Sequence, residues 1–219
     1  MHLQVYNKNT QMKEKTKNIL SLLKKQYPRV KCALNFKDPL ELLIATILSA
    51  QCTDIRVNKV TEALFKKYKN VKAYANASLK EFEKDIYSTG FYRNKAKNII
   101  STCNILYKRY KGKVPRNFDE LMHLPGVARK TANCVMGNAF NIPSGVVVDT
   151  HVSRISQRLG LTKNTDPNKI EQDLIKILPK EEWIMFSHRL IWHGRKVCDA
   201  RKPKCEICTL NKLCPSSLV

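Results

Sequence analysis

Apolar residues recur at helical spacing along almost the whole chain, and the strict alternation of a half-buried strand is nearly absent. Between Lys95 and Tyr110 the set Ala96, Ile99, Ile100, Cys103, Leu106, Tyr107 and Tyr110 follows the i, i+3, i+4 rhythm of an amphipathic helix, with lysine and arginine on the other face. Start signals agree: Asp38-Pro39 and Asp166-Pro167 each set a capping carboxylate before a proline at the first helical position, and Ser78-x-x-Glu81 reads as a capping box. About ten helices are expected on this pattern. The one β-like run, Val146 to Val148, is too short and isolated to found a sheet, and no repeat is visible. The predicted fold class is all-α. No Pro/Gly/Ser-rich linker divides the chain, so any domain boundary lies within the helical succession.

Composition narrows the class. At 219 residues, 43% apolar and 26% charged, the chain is long enough to bury a core and too apolar to be disordered, as one domain or two small ones. The longest mostly apolar stretch, Leu40 to Ala50, is broken by Glu41 and Thr46 and is shorter than the roughly 18–20 residues of a membrane span. No export or import signal is visible in the polar segment from Met1 to Lys15. The expectation is a soluble intracellular protein, cytoplasmic or associated with the nucleoid, with no membrane partner. Forty Lys plus Arg against eighteen Asp plus Glu give a formal charge of +22 spread along the chain. Such an excess favours a polyanionic partner, nucleic acid above all, with a lysine-favouring codon bias as the plain alternative. No P-loop or dinucleotide fingerprint occurs, so no nucleotide cofactor is expected.

Cysteine usage points to a metal. Cys32, Cys52, Cys103 and Cys134 stand singly on helical segments and read as small buried hydrophobes. Cys198, Cys205, Cys208 and Cys214 instead crowd into a C-x6-C-x2-C-x5-C segment. In a reducing compartment four neighbouring thiolates repel one another unless a metal holds them. Only Cys205 and Cys208 form the short hook usual in structural zinc sites, and the uneven outer spacing suits an all-thiolate [4Fe–4S] cubane; spacing leaves both open. Either would pin a basic loop carrying Arg201, Lys202 and Lys204, suited to a phosphate backbone if it is more than a solvated loop. His188 and His193, five apart with no carboxylate motif, do not read as metal ligands; Trp183 and Trp192 read as core.

The segment Leu124-Pro125-Gly126-Val127-Ala128-Arg129-Lys130 joins a short helix, Asn117 to His123, to a stronger one, Arg129 to Phe140. A tight turn feeding a helix N-terminus aims backbone N–H groups outward, a ready phosphate site. Arg129 and Lys130 break the usual preference for acidic residues in a first turn, and a broken local rule often marks a site. The helix dipole disfavours the charged form of Lys130, which would make its amine a better nucleophile if the side chain were also partly desolvated. Asp149 fits the N-cap of a helix beginning near Thr150, and also a buried carboxylate for acid–base work.

Taken in order, LLIATILSAQCTD, STGFYRNKAKNI, LPGVARKTANCV, VVVDTH and the four spaced cysteines resemble the endonuclease III family of DNA glycosylases, from about Leu40 to Cys214. The resemblance implies a helix–hairpin–helix fold of two helical lobes. One is a six-helix barrel over 32–143; the other combines 1–31 with 144–219 and holds a [4Fe–4S] cluster on Cys198, Cys205, Cys208 and Cys214. It implies a monomer acting on double-stranded DNA that carries a damaged base or an abasic site. Lys130 would attack C1′ and form a Schiff base, followed by β-elimination, with Asp149 as the catalytic carboxylate. Gln51 and Phe91 match the positions that fill and wedge the gap left by an extruded base, and Gly126, Val127, Ala128 and Arg129 the hairpin that holds DNA. A lysine at position 130 favours the bifunctional branch acting on oxidised or fragmented pyrimidines. One departure is Ala128, where the hairpin often has a second glycine; a positive φ there would weaken the phosphate hold.

Overall fold

A computed structural model describes residues 2–219, with side chains from Thr10 onward; Met1, first residue of the expected 1–31 segment, lies outside the described residues. Among these there are eleven α-helices and no strand, and Val146–Val148 is irregular. The helices fall into two compact units, one formed by the chain up to Lys31 together with Gly145–Val219, the other by Cys32–Ser144. The first helix, α1 (His2–Gln26), belongs to the former.

The Cys32–Ser144 unit contains α2 (Pro39–Leu48), α3 (Asp54–Lys67), α4 (Val71–Ala75), α5 (Leu79–Ile86), α6 (Tyr92–Arg109), α7 (Phe118–Met122) and α8 (Arg129–Phe140). The apolar stretch noted above becomes α2, and Leu42 to Leu48 are all buried, as befits a helix apolar all round. It packs against α8, while α4 and α5 pack on α6. Asp38 caps α2 by accepting from the Glu41 N–H at 2.9 Å, with Pro39 in the first turn.

Three expectations need correction here. Ser78 precedes α5, yet its side chain makes no capping bond, so the capping box does not form. On α6 the buried stripe is Ala96, Ile99, Cys103 and Leu106, whereas Tyr107 is exposed; Lys95, assigned to the charged face, is buried. Of the single cysteines only Cys103 is fully buried, its thiol pushed up to about 12 by burial; Cys32, Cys52 and Cys134 lie half-buried at the core's margin.

The other unit adds α9 (Thr150–Arg158), α10 (Pro167–Ile177) and α11 (Trp183–Lys196) to α1. Its core gathers Ile19 and Leu23 of α1, Val152 and Ile155 of α9, Ile170 and Leu174 of α10, and Phe186 and Leu190 of α11. Each such side chain withdrawn from water contributes about 1.5–3 kcal/mol before entropy is counted. Trp183 and Trp192 pack against this core as expected. The close approach of α9 and α11 depends on Gly194, where a Cβ would lie 2.6 Å from His151 Nδ1. Asp166 caps α10 through the Lys169 N–H at 2.9 Å.

Candidate functional site

The turn between α7 and α8 is held from below. Leu121, Leu124 and Val127 are buried, and Thr102 Oγ1 of α6 donates to Pro125 O at 2.8 Å. Gly126 sits at φ +77°, and a Cβ there would stand 2.9 Å from the Cβ of Asn98. No other residue meets both demands without strain. Val127 donates its N–H to Leu124 O at 3.1 Å and therefore shapes the turn rather than offering a free amide. Ala128 lies at φ −89°, ψ 169°, extended backbone that alanine adopts freely, so the missing second glycine costs the hairpin nothing.

No side chain caps α8. The amides of its first turn have no carbonyl within the helix to bind, and the helix dipole adds positive potential. Arg129 is half-buried with its guanidinium 5.1 Å from the centre of the Phe118 ring. Lys130 is exposed. The desolvation anticipated for its amine is thus not supplied by the fold around α8; a bound duplex would have to supply it.

Gln51 and Phe91 occupy two exposed turns of the same unit. Both are non-glycine residues in the left-handed region, at φ 53° and φ 47°, a conformation that costs about 1–3 kcal/mol and persists only where surroundings enforce it. Phe91 is 65% exposed, so its ring takes no part in the core.

Asp149 begins α9 and caps it, its Oδ1 accepting the Val152 N–H at 2.8 Å. It is half-buried, and the cap engages only Oδ1 of its two carboxylate oxygens. Lys130 lies in the Cys32–Ser144 unit and Asp149 in the other.

The four spaced cysteines do converge. Cys198, Cys205, Cys208 and Cys214 line one cavity of about 320 Å³, counted to its open mouth, with Arg158, Val197 and Pro203. Burial, then the neighbouring cysteines, push the thiols of Cys208 and Cys214 above their ordinary range, a state that a cationic metal reverses. Among the described residues no three His, Cys, Asp or Glu groups are gathered as a single metal ion requires. A cubane takes one thiolate on each iron, and four thiols lining one cavity supply that donor set.

Sequence reasoning missed the groups that hold this segment. Arg158 of α9 donates to Cys198 Sγ at 3.2 Å, to Asp199 O at 2.7 Å and to Ala200 O at 2.8 Å. Arg154, one turn earlier, donates to Cys198 O at 2.8 Å. Asp199 accepts the N–H groups of Arg201 and Lys202, which holds its carboxyl below the usual range, and Lys204 N–H closes the loop on Val197 O. Arg201, Lys202 and Lys204 are all exposed on this pinned loop. Buried His193 bridges Tyr27 and Cys208, with Nδ1 3.2 Å from the tyrosine hydroxyl and Nε2 3.5 Å from Sγ. Burial lowers its pKa to about 4 and keeps the ring neutral. Were Cys208 a ligating thiolate it could only accept, which would place the proton on Nε2 and make Tyr27 the donor to Nδ1. The spacing of Arg154 and Arg158 on one face of α9 was the only available signal, and it reads equally well as a solvated face.

Among known proteins, residues 44–180 match the HhH-GPD superfamily of base excision DNA repair proteins, and residues 198–214, which begin and end on Cys198 and Cys214, match the iron–sulfur binding domain of endonuclease III. Endonuclease III of Synechocystis is 56% identical over 205 residues, 94% of each chain. A non-covalent endonuclease III–DNA complex superposes with a TM-score of 0.89 at 48% identity, covering 94% of this chain and 96% of that one. A trapped covalent endonuclease III–DNA intermediate gives the same values. No helix among the described residues is long and apolar enough to cross a membrane.

Proposed function

Because this chain belongs to the endonuclease III family, and is thus a base-excision-repair DNA glycosylase and abasic-site lyase with a [4Fe–4S] cofactor, we propose that Lys130 is its nucleophile and Asp149 its catalytic carboxylate. The observation that carries this reading is an exposed lysine in the first turn of the uncapped helix α8, directly after a turn that only Gly126 permits. The substrate is duplex DNA bearing an oxidised or ring-fragmented pyrimidine, or an abasic site, and the enzyme acts as a monomer inside the cell, on the nucleoid. Lys130, the residue by which the bifunctional branch is told apart, supports the lesion class.

The chemistry follows from the groups in place. First-turn amides of α8, with Arg129 beside them, hold a phosphate and register the duplex without reading bases. A neutral Lys130 amine attacks C1′; the C1′–N bond to the base breaks with its electron pair going to the base, which takes up the proton that Asp149 relays from the amine. Asp149 Oδ2 accepts the proton lost by the amine and balances positive charge growing on the sugar. Ring opening gives an imine between Nζ and C1′, which acidifies the C2′ proton, and loss of that proton expels the 3′-phosphate. Gln51 and Phe91 occupy the space vacated by the extruded nucleoside.

Cys198, Cys205, Cys208 and Cys214 are the proposed ligands of the cluster, which when bound cross-links the segment through four thiolates. Arg154, Arg158 and Asp199 then fix Arg201, Lys202 and Lys204 for a second stretch of phosphates. The test is product analysis on a duplex with a single thymine glycol. The native chain should release the base and leave a β-elimination 3′ end, and Lys130→Gln should bind the duplex and do neither. Base release by the native chain with an intact strand would contradict the lyase assignment of Lys130.

A further inference from the structure

Lys95 is a buried cation that none of the chemistry above employs. Only 4% of its surface is exposed, and among the described residues no carboxylate is its partner. Its ammonium donates to Leu48 O at 2.7 Å and to Thr89 O at 2.8 Å. Leu48 is the last residue of α2, and Thr89 ends the short 3-10 segment Tyr87–Thr89, so one ammonium closes the negative ends of two helical segments. From those carbonyls the chain runs three residues to Gln51 and two to Phe91, the two left-handed turn residues. The second turn is fixed further: Thr89 Oγ1 donates to Ile86 O at 2.8 Å, and Lys95 N–H donates to Phe91 O at 3.1 Å. Three donors on a compact point charge suit two converging carbonyls, a geometry the planar fork of arginine does not reproduce.

We infer that Lys95 is a positioning residue that ties the Gln51 turn to the Phe91 turn, so that both side chains enter the duplex as one preorganised pair. The inference rests on the reading of Gln51 and Phe91 as insertion residues. The two strained turns lie on separate stretches of chain, and the ammonium is a hydrogen-bonded link common to both. Removing it leaves the carbonyls buried and the turns free to relax their left-handed residues. Insertion into a base stack demands correct placement of both side chains at once, and a misplacement of about 1 Å costs up to roughly a hundredfold in rate.

The experiment compares single-turnover base release on two duplexes, one with the lesion paired and one with the lesion opposite a one-nucleotide gap, where extrusion costs least. Lys95→Met should slow release from the paired lesion by about ten- to a hundredfold and change release at the gap by no more than about twofold. In the background of Gln51→Ala with Phe91→Ala, Lys95→Met should have no further effect on the paired lesion. Equal losses on both duplexes, or an undiminished loss in that background, would overturn the proposal and leave Lys95 a residue of the core. An inert Gln51→Ala/Phe91→Ala pair would overturn the insertion reading itself, a distinct result. Should Lys95→Met fail to fold, Lys95→Gln, whose amide reaches one carbonyl at most, carries the same comparison with a smaller expected loss.

Discussion

Gly126→Ala perturbs the hairpin at a single atom, and its cost can be worked from the geometry. At φ +77° a residue with a Cβ pays about 1–2 kcal/mol for the left-handed conformation. The new methyl would also stand 2.9 Å from Asn98 Cβ, an atom fixed to the backbone of α6, and relieving such an overlap costs about 1–3 kcal/mol. The sum, about 2–5 kcal/mol, corresponds to a fall in Tm of roughly 5–15 °C for a chain of this length. Thermal denaturation of Gly126→Ala, of Asn98→Gly and of the double variant separates the two parts. Because Asn98→Gly removes the opposing Cβ, the alanine should cost less in that background by the steric share, leaving the conformational share. Equal costs of Gly126→Ala in both backgrounds would refute the steric argument, and a Tm within measurement error of native would refute the whole estimate. Affinity for undamaged duplex should fall with the hairpin, since the first-turn amides of α8 are aimed by this turn.

Capping chemistry gives a contrast: Asp38→Ala and Asp166→Ala should each cost about 1 kcal/mol in chemical denaturation, whereas Ser78→Ala, whose hydroxyl caps nothing, should fall within about 0.5 kcal/mol of native. Asp149→Asn keeps an oxygen for the Val152 N–H, so stability should be preserved while single-turnover base release collapses; a fall in stability with unimpaired release would leave Asp149 a cap and nothing more. Replacing Arg201, Lys202 and Lys204 by alanine should lower the slope of log affinity against log salt by up to about 0.9 for each phosphate no longer neutralised, read from filter binding at several salt concentrations; an unchanged slope would remove the loop from the interface.

What the sequence revealed and what it hid divide along a physical line. The hairpin was readable because its determinants are local: the glycine, the short helix before it and the cations after it lie within a few residues. The same holds for Asp38-Pro39 and Asp166-Pro167, where cap and first-turn proline adjoin. Ser78-x-x-Glu81 has the same local grammar, yet the hydroxyl caps nothing, since a pattern permits a bond without compelling it. Lys95 was misplaced because a lysine on an amphipathic helix is ordinarily solvated; its partners are carbonyls 47 and 6 residues distant, and only tertiary structure unites them. Arg154 and Arg158 were hidden for the same reason, since they bind backbone oxygens some forty residues downstream. The cysteine segment was legible as a ligand set, but spacing left the metal open, and the match to the iron–sulfur binding domain of endonuclease III resolved it.

The most direct test of the central claim is borohydride trapping on duplexes carrying thymine glycol or an abasic site, beside undamaged DNA, with the adduct mapped by peptide mass. The account predicts that reduction of the imine leaves a covalent adduct on both damaged duplexes, that the modified residue is Lys130, and that Lys130→Gln binds the same duplexes without forming it. An adduct mapped to another amine, or trapping by Lys130→Gln at the native level, would contradict it.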